Sequence, residues 1–544
     1  MTMKAKQTIS LFTSLMLCLA LLAGCGNQVS NSSTENSSNA QGETSEIAKV
    51  LNIATIGETK TLSPLYMISD NQPTSKLIYE GLVKYVDGEI KPCLAESWDL
   101  SEDGTVLTFH LRQGVTFHDG ETFNAEAAKT NIEFWHTNPA YVALPGVVSY
   151  SNIEATDEYT LTITYDAPYF AYLNDFCWPD VCVMISPKLI VNGDFQTVHG
   201  YAGTGPYVYG EYVAGQYTVF NRNEHYWGKP AYYDQIVAKY IPEAASRLQA
   251  LRTGEIDLIY GSAQMSYEDY QQATAISGVA GKLAPAGSTV RNITTNFNGN
   301  LSDLRVRQAI ACAIDKEGIS EGLTYGHEPV ANTVVTDGTA YSDITGNEAY
   351  TYDLERANQL LDEAGWITNS DTGIREKGGQ PLHIAFTYPT DDSTTRPIAT
   401  LIKSQLAEVG IDMEIKGLEK MEWYMGYMSP DGFDMTTMNT FYNYAMPHCW
   451  YSPMLAQMPQ DVSIPLMKDS DTFISYLSEF KTSNDEARLK EIFTYLIQND
   501  LDQVLDIPLT YQMDMIVYNS QKISDYNFVS DYQFFDPTQI TPTE

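Results

Sequence analysis

The 544 residues are 43% hydrophobic and 12% aromatic against 19% charged, enough to bury a large core, which excludes disorder over most of the length. At roughly 100–200 residues per domain the length implies two to four packed units, and so at least two lobes. The 32 Lys and Arg against 69 Asp and Glu leave a formal net charge of -37, which excludes nucleic-acid binding and suits either solubility outside the cell or attraction of a cationic ligand.

Along the chain, Lys4 and Lys6 precede an apolar run from Ile9 to Leu22, too short to span a bilayer but suited to a secretory segment. It ends Leu22-Ala23-Gly24-Cys25, which resembles the bacterial lipobox. That resemblance implies a signal peptide over 1–24 and a diacylated Cys25 heading a polar Ser/Asn tether over 25–47. Of the remaining cysteines, Cys93, Cys177, Cys182, Cys312 and Cys449 cannot all pair; export permits disulfides, and Cys177 with Cys182 is the pair nearest in sequence.

Strand and helix periods then alternate. Leu107, Phe109 and Leu111 share one face of a strand over 106–111, and Leu161 and Ile163 do so over 160–164. A helix around Ala244–Arg252 stops at Gly254 and feeds an apolar strand over 256–259. Val306, Ile310 and Ala313 follow Asp303 at helical spacing; Ala357, Leu360, Leu361 and Ala364 follow Asp353 and stop at Gly365. The mixture predicts an α/β or α+β fold, and no period of 20–50 residues points to a solenoid or propeller.

Catalytic signatures are missing. Gly203-Thr204-Gly205-Pro206 is glycine-rich, but Pro206 removes a donor where a phosphate cradle needs one, and no Gly-Lys-Ser/Thr follows. His327-Glu328 lacks the second His of a zinc protease, and no Gly-x-Ser-x-Gly elbow occurs. The chain is therefore expected not to be an enzyme, with a hydrolase the weakest alternative. Residues 421–454 concentrate Trp, Tyr, Phe and Met around His448-Cys449, a composition that fits either a ligand-enclosing wall or an aromatic core.

Ordered blocks carry a resemblance. Leu94-Ala95-Glu96-Ser97-Trp98, Phe117-His118-Asp119-Gly120, Gly203-Thr204-Gly205-Pro206-Tyr207, Arg222 through Gly228, Gly254 through Leu258, Arg305 through Ile310 and Tyr352–Trp366 together resemble the family 5 solute-binding proteins of ABC importers, the peptide/nickel group. The blocks span about 50 to 543, and their wording is nearest to the nickel-binding members. The resemblance implies a two-lobe, periplasmic-binding-protein-like α/β fold of the venus-flytrap type (type II) with an extra subdomain in lobe I. Lobe I would be 48–284, lobe II 285–507, and 508–544 a segment returning to lobe I.

It also implies a ligand cleft lined by Tyr66, Met67, Gln72, Tyr141, Phe441, Asn443, Tyr444, His448 and Tyr532. The metal-contacting His of nickel-binding members would fall between Pro459 and Lys468, where this chain has none, so His448, beside Cys449, is the candidate metal contact on its chemistry. Where peptide-binding members place an Asp for the peptide's amino group, this chain has Asn443; where nickel-binding members place arginines, it has Tyr141 and Val183. A neutral amide forfeits charge pairing with an ammonium, and a phenol does not replace a bidentate guanidinium. Arg305 and Arg307 read as a solvated or intralobe pair. The implied function is capture of nickel as a metal chelate, or of an oligopeptide, for an ABC permease and its ATPase subunits. The chain would act as a monomer without a prosthetic group, lipid-anchored on the extracytoplasmic face of the cell membrane or in the periplasm, touching the membrane through its anchor alone. A peptide-binding sensor or adhesin lipoprotein without a permease is the alternative.

Overall fold

The computed structural model describes residues 49–543 apart from 59–71, 87–88, 138–143, 179–180, 191–199, 263, 286, 288, 337–339, 348–349, 391–393, 428, 430, 441–449, 452–462 and 530–533. Two mixed sheets organise it. The first runs in the order Val279–Leu283, Met515–Asn519, Leu258–Tyr260, Val50–Thr55, Gln235–Tyr240, Tyr217–Arg222, Tyr207–Val213. Val50–Thr55 lies parallel to both of its neighbours, and the flanking pairs are antiparallel. The second runs Asp412–Leu418, His383–Pro389, Met435–Thr437, Thr289–Thr295, Asp506–Gln512. A separate antiparallel sheet of four strands, Ala95–Leu100, Val106–Leu111, Thr160–Tyr165 and Tyr150–Asp157, forms between the first and later strands of the first sheet.

The periodic segments fold as their spacing predicts. Helix Leu354–Glu363 starts where the Asp353 carboxylate accepts the Arg356 N–H, buries Ala357, Leu360 and Leu361, and precedes Gly365 at φ +83°. Helix Leu304–Ala313 starts likewise at Asp303. The strand expected over 256–259 instead covers Leu258–Tyr260, because Asp257 turns its buried carboxylate to the backbone and side-chain N–H groups of Asn52 and to Lys522. One apolar core joins the first sheet, the four-stranded sheet and the helices over 470–502, and a second lies between the second sheet and its own helices.

Two chain segments join the sheets. Val279–Leu283 in the first sheet leads through 284–288 to Thr289–Thr295 in the second. Asp506–Gln512, wholly paired in the second, leads through Met513 and Asp514 to Met515–Asn519 in the first. The return to the first sheet thus follows Gln512.

Candidate functional site

The expected cleft residues Tyr66, Met67, Tyr141, Phe441, Asn443, Tyr444, His448 and Tyr532 lie outside the described residues, as does Cys25. Gln72 opens helix Gln72–Ile78 and is described by its backbone alone. What the structure does place is the scaffold on which these segments begin and end, and it consists of two acidic centres and the crossing between the sheets.

The first centre lies behind helix Gln72–Ile78. Glu80 is half-buried, with its carboxylate accepting from the Tyr226 hydroxyl (2.8 Å), the Thr204 hydroxyl (2.8 Å) and the Trp227 indole N–H (2.7 Å). Burial pushes its pKa up and the three donors pull it back. Gly203 and Gly205 pass so close to the helix end that a Cβ would meet the Ile78 carbonyl oxygen at 2.2 Å and the Ile78 carbonyl carbon at 2.6 Å, and the Gly205 N–H donates to that oxygen (2.8 Å). His118 closes the loop, with its ring on the Gly205 carbonyl (2.9 Å) and its N–H on that of Gly203 (2.9 Å). Three of the ordered sequence blocks therefore meet on one helix. Lys76 on that helix lies over the Phe534 ring at 4.8 Å, beside the end of the segment that carries Tyr532.

A cavity of about 260 Å³ adjoins this centre and is lined by Cys93, Cys177 and Cys182 together with Glu80 and Tyr226. Burial pushes the Cys93 thiol up to about 12, far from the thiolate that reactive chemistry requires. The Cys182 thiol reaches the Asp175 carbonyl at 3.3 Å.

The second centre brackets segment 441–449. Before it, Thr440 is pinned to Val290: its N–H donates to the Val290 carbonyl (2.9 Å) and its hydroxyl accepts the Val290 N–H (3.0 Å). After it, the Trp450 indole donates to Asp506 (2.9 Å) and the Tyr451 hydroxyl to Asp500 (2.8 Å). The Thr294 hydroxyl adds a bond to Asp506 (2.6 Å), and the Asp506 N–H donates to Asp500 (3.0 Å). Burial pushes both carboxyls up, Asp506 to about 6, and the charge of Asp506 raises Asp500 further. The Met/aromatic stretch divides accordingly: Met435, Trp450 and Tyr451 are core, whereas Met421 and Met425 are 62% and 60% exposed.

At the crossing, the Tyr267 hydroxyl donates to the Met513 carbonyl (3.2 Å) and accepts the Met513 N–H (3.1 Å). His327, beside the second sheet, lies against Tyr267 (5.6 Å, stacked) and Tyr270 (5.8 Å, edge-on) of helix Tyr267–Thr274 beside the first. Its neighbour Glu328 takes the buried Arg291 guanidinium (2.8 Å) and the Thr510 hydroxyl (2.5 Å). Arg305 pairs with Asp303, and Arg307 donates to the carbonyls of Leu301 and Gln503 while covering the Phe297 ring. Among the described residues no group of three or more His, Cys, Asp or Glu side chains is placed to hold a metal ion, and no helix is long and apolar enough to cross a membrane.

The sequence alone does not single out Glu80, Asp500 or Asp506. A single acidic residue in an apolar context, as in Leu77-Ile78-Tyr79-Glu80, is the one local signal for a partly or wholly buried carboxylate.

This arrangement of two mixed sheets joined by two crossing segments meets its counterpart among known proteins. The model for bacterial extracellular solute-binding proteins, family 5 middle, matches residues 89–460. The chain belongs to that family. This family 5 protein is 29% identical over 466 residues to the nickel-binding periplasmic protein of Escherichia coli K12, covering 84% of this chain and 88% of the other. It superposes with a TM-score of 0.85 on NikA from Brucella suis in complex with Fe(III)-EDTA, at 30% identity, covering 91% of this chain and all of that one. AppA from Bacillus subtilis in complex with a nonapeptide gives a TM-score of 0.75 at 19% identity, with 91% and 99% of the chains covered, a likeness of fold. The family 5 protein is accordingly a two-lobe α/β binding protein.

Proposed function

We propose that this protein is the extracytoplasmic substrate-binding component of an ABC importer, capturing nickel as a small-molecule chelate and delivering it to the permease. The observation that carries this reading is the match in fold and sequence, over nine-tenths of the chain, to a binding protein holding a metal chelate. Lobe I comprises the first and four-stranded sheets, lobe II the second, and 284–288 with 513–514 form the hinge about which they close on ligand. The two acidic centres hold the ends of the ligand-contacting segments, leaving Tyr66, Met67, Gln72, Tyr141, Phe441, Asn443, Tyr444, His448 and Tyr532 to face the chelate and His448 to reach the metal. Residues 1–24 direct export, and the acylated Cys25 keeps the domain near its permease through the tether to 47. Binding, rather than turnover, is the activity.

A second reading, oligopeptide capture, is favoured by the shared fold with peptide-bound AppA. Native mass spectrometry of the protein exposed together to a peptide mixture and to nickel with histidine separates the two. A nickel-containing increment supports the chelate reading. A metal-free peptide increment overturns it and makes Asn443 an amine anchor.

A further inference from the structure

The second lobe contains a cavity of about 300 Å³ beside the Asp500–Asp506 centre. Exposed Asn332 and Thr345 stand at its mouth, and the buried side chains of Leu501, Val504 and Ile507 line its floor. Lys316, the first residue of helix Lys316–Leu323, also lines it and is only 9% exposed. Its ammonium makes one hydrogen bond, a long one of 3.3 Å to the Ala331 carbonyl, and no ion pair among the described residues. An ammonium has three donors to satisfy. A buried cation without a counter-ion is costly, and here burial draws the Lys316 pKa down to about 8, so the group is still mainly charged at pH 7.

The unmet demand is for one negative charge with acceptor oxygens, inside a space whose floor is aliphatic and whose other walls carry Asn332, Thr345, Tyr350, Thr351 and Asp506. A phosphate or a dicarboxylate would set a second charge against that aliphatic floor and against Asp506, which also lines the cavity. We propose that this cavity is a second ligand site, for a short aliphatic monocarboxylate whose carboxylate sits on Lys316 Nζ and whose alkyl chain packs on Leu501, Val504 and Ile507. Because Asp506 also holds Trp450, an occupant adjoins the support of segment 441–449.

Isovalerate is the probe, and its uncharged isostere isovaleramide is the control, each titrated into the protein at pH 7 and constant ionic strength and followed by calorimetry. Saturable binding of isovalerate, at least tenfold weaker binding of the amide, and at least tenfold weaker binding of isovalerate by Lys316→Met are expected. Equal binding of acid and amide, or no binding of the acid, overturns the proposal. Should Lys316→Met fail to fold, the titration of the Lys316 ammonium in ¹⁵N-lysine-labelled wild type decides: isovalerate must raise its pKa, and an unmoved value overturns the site.

Discussion

The two acidic centres do the same mechanical task with different electrostatics. Behind helix Gln72–Ile78 a single carboxylate, Glu80, meets three neutral donors from two distant sequence blocks. Under Trp450 two carboxylates share one buried space, and the donors of Trp450, Tyr451 and Thr294 are divided between them. The first centre is saturated by donors, and removing its acceptor orphans them. The second holds more negative charge than its neutral donors offset, so it takes up a proton well before an ordinary aspartate does. Burial raises the carboxyls of both centres, but the first is sensitive above all to loss of its acceptor and the second to a change of protonation.

Removing the Glu80 carboxylate should give the largest effect. Glu80→Ala leaves the donors of buried Thr204 and half-buried Tyr226 and Trp227 unmatched, which at about 1 kcal/mol each predicts a loss of roughly 3 kcal/mol in urea unfolding. A loss below about 1 kcal/mol would show that water replaces the carboxylate and that the contrast between the centres is empty. Gly205→Ala tests the same centre through its backbone. The new Cβ, 2.6 Å from the Ile78 carbonyl carbon, must displace the helix end, at about 1–3 kcal/mol in the same assay.

The second centre should reveal itself through pH. Its carboxyls have folded pKa values raised above the unfolded aspartate value near 4, Asp506 to about 6, so the folded chain keeps a proton that the unfolded chain has released. The stability this contributes is present in full below about pH 4 and lost as pH rises through about 6. Asp506→Asn removes the Asp506 share of that titration and the charge that raises Asp500 further. Wild-type stability minus that of the variant should therefore fall with rising pH between about 4 and 6, by up to ~1.4 kcal/mol per pH unit, and a flat difference would deny the shared proton. The smallest expected effect lies at the crossing. Tyr267→Phe removes both hydroxyl bonds to Met513, costing about 1 kcal/mol and changing the ligand-induced compaction seen by small-angle scattering. Unaltered compaction would mean that this contact does not set the angle between the lobes.

Much of the local structure was legible in the residues. Asp353 and Gly365 bound a helix as their chemistry requires, and the alternation of Leu107, Phe109 and Leu111 became a strand with those three side chains buried. Gly203-Thr204-Gly205-Pro206 was legible as a loop and as a poor phosphate cradle, but not as the seat of Ile78. The close approach that demands glycine there involves a helix far away in sequence. The Met/aromatic stretch could not be divided into core and surface by composition, since Met435 and Met425 differ in burial and not in chemistry.

By itself the sequence determined the alternation of strands and helices, the caps, the absence of catalytic motifs and the resemblance to a two-lobe binding family. Those depend on residues within a turn or two of one another, or on ordered blocks that can be read as text. Only the tertiary structure decided that Glu80 gathers donors from distant segments, that Asp500 and Asp506 are buried, that the second sheet continues to Gln512, and that Lys316 faces a cavity without a counter-ion. Burial and charge pairing depend on which distant segments pack together, and a carboxylate or ammonium has the same chemistry in the chain whether folding leaves it in water or removes it.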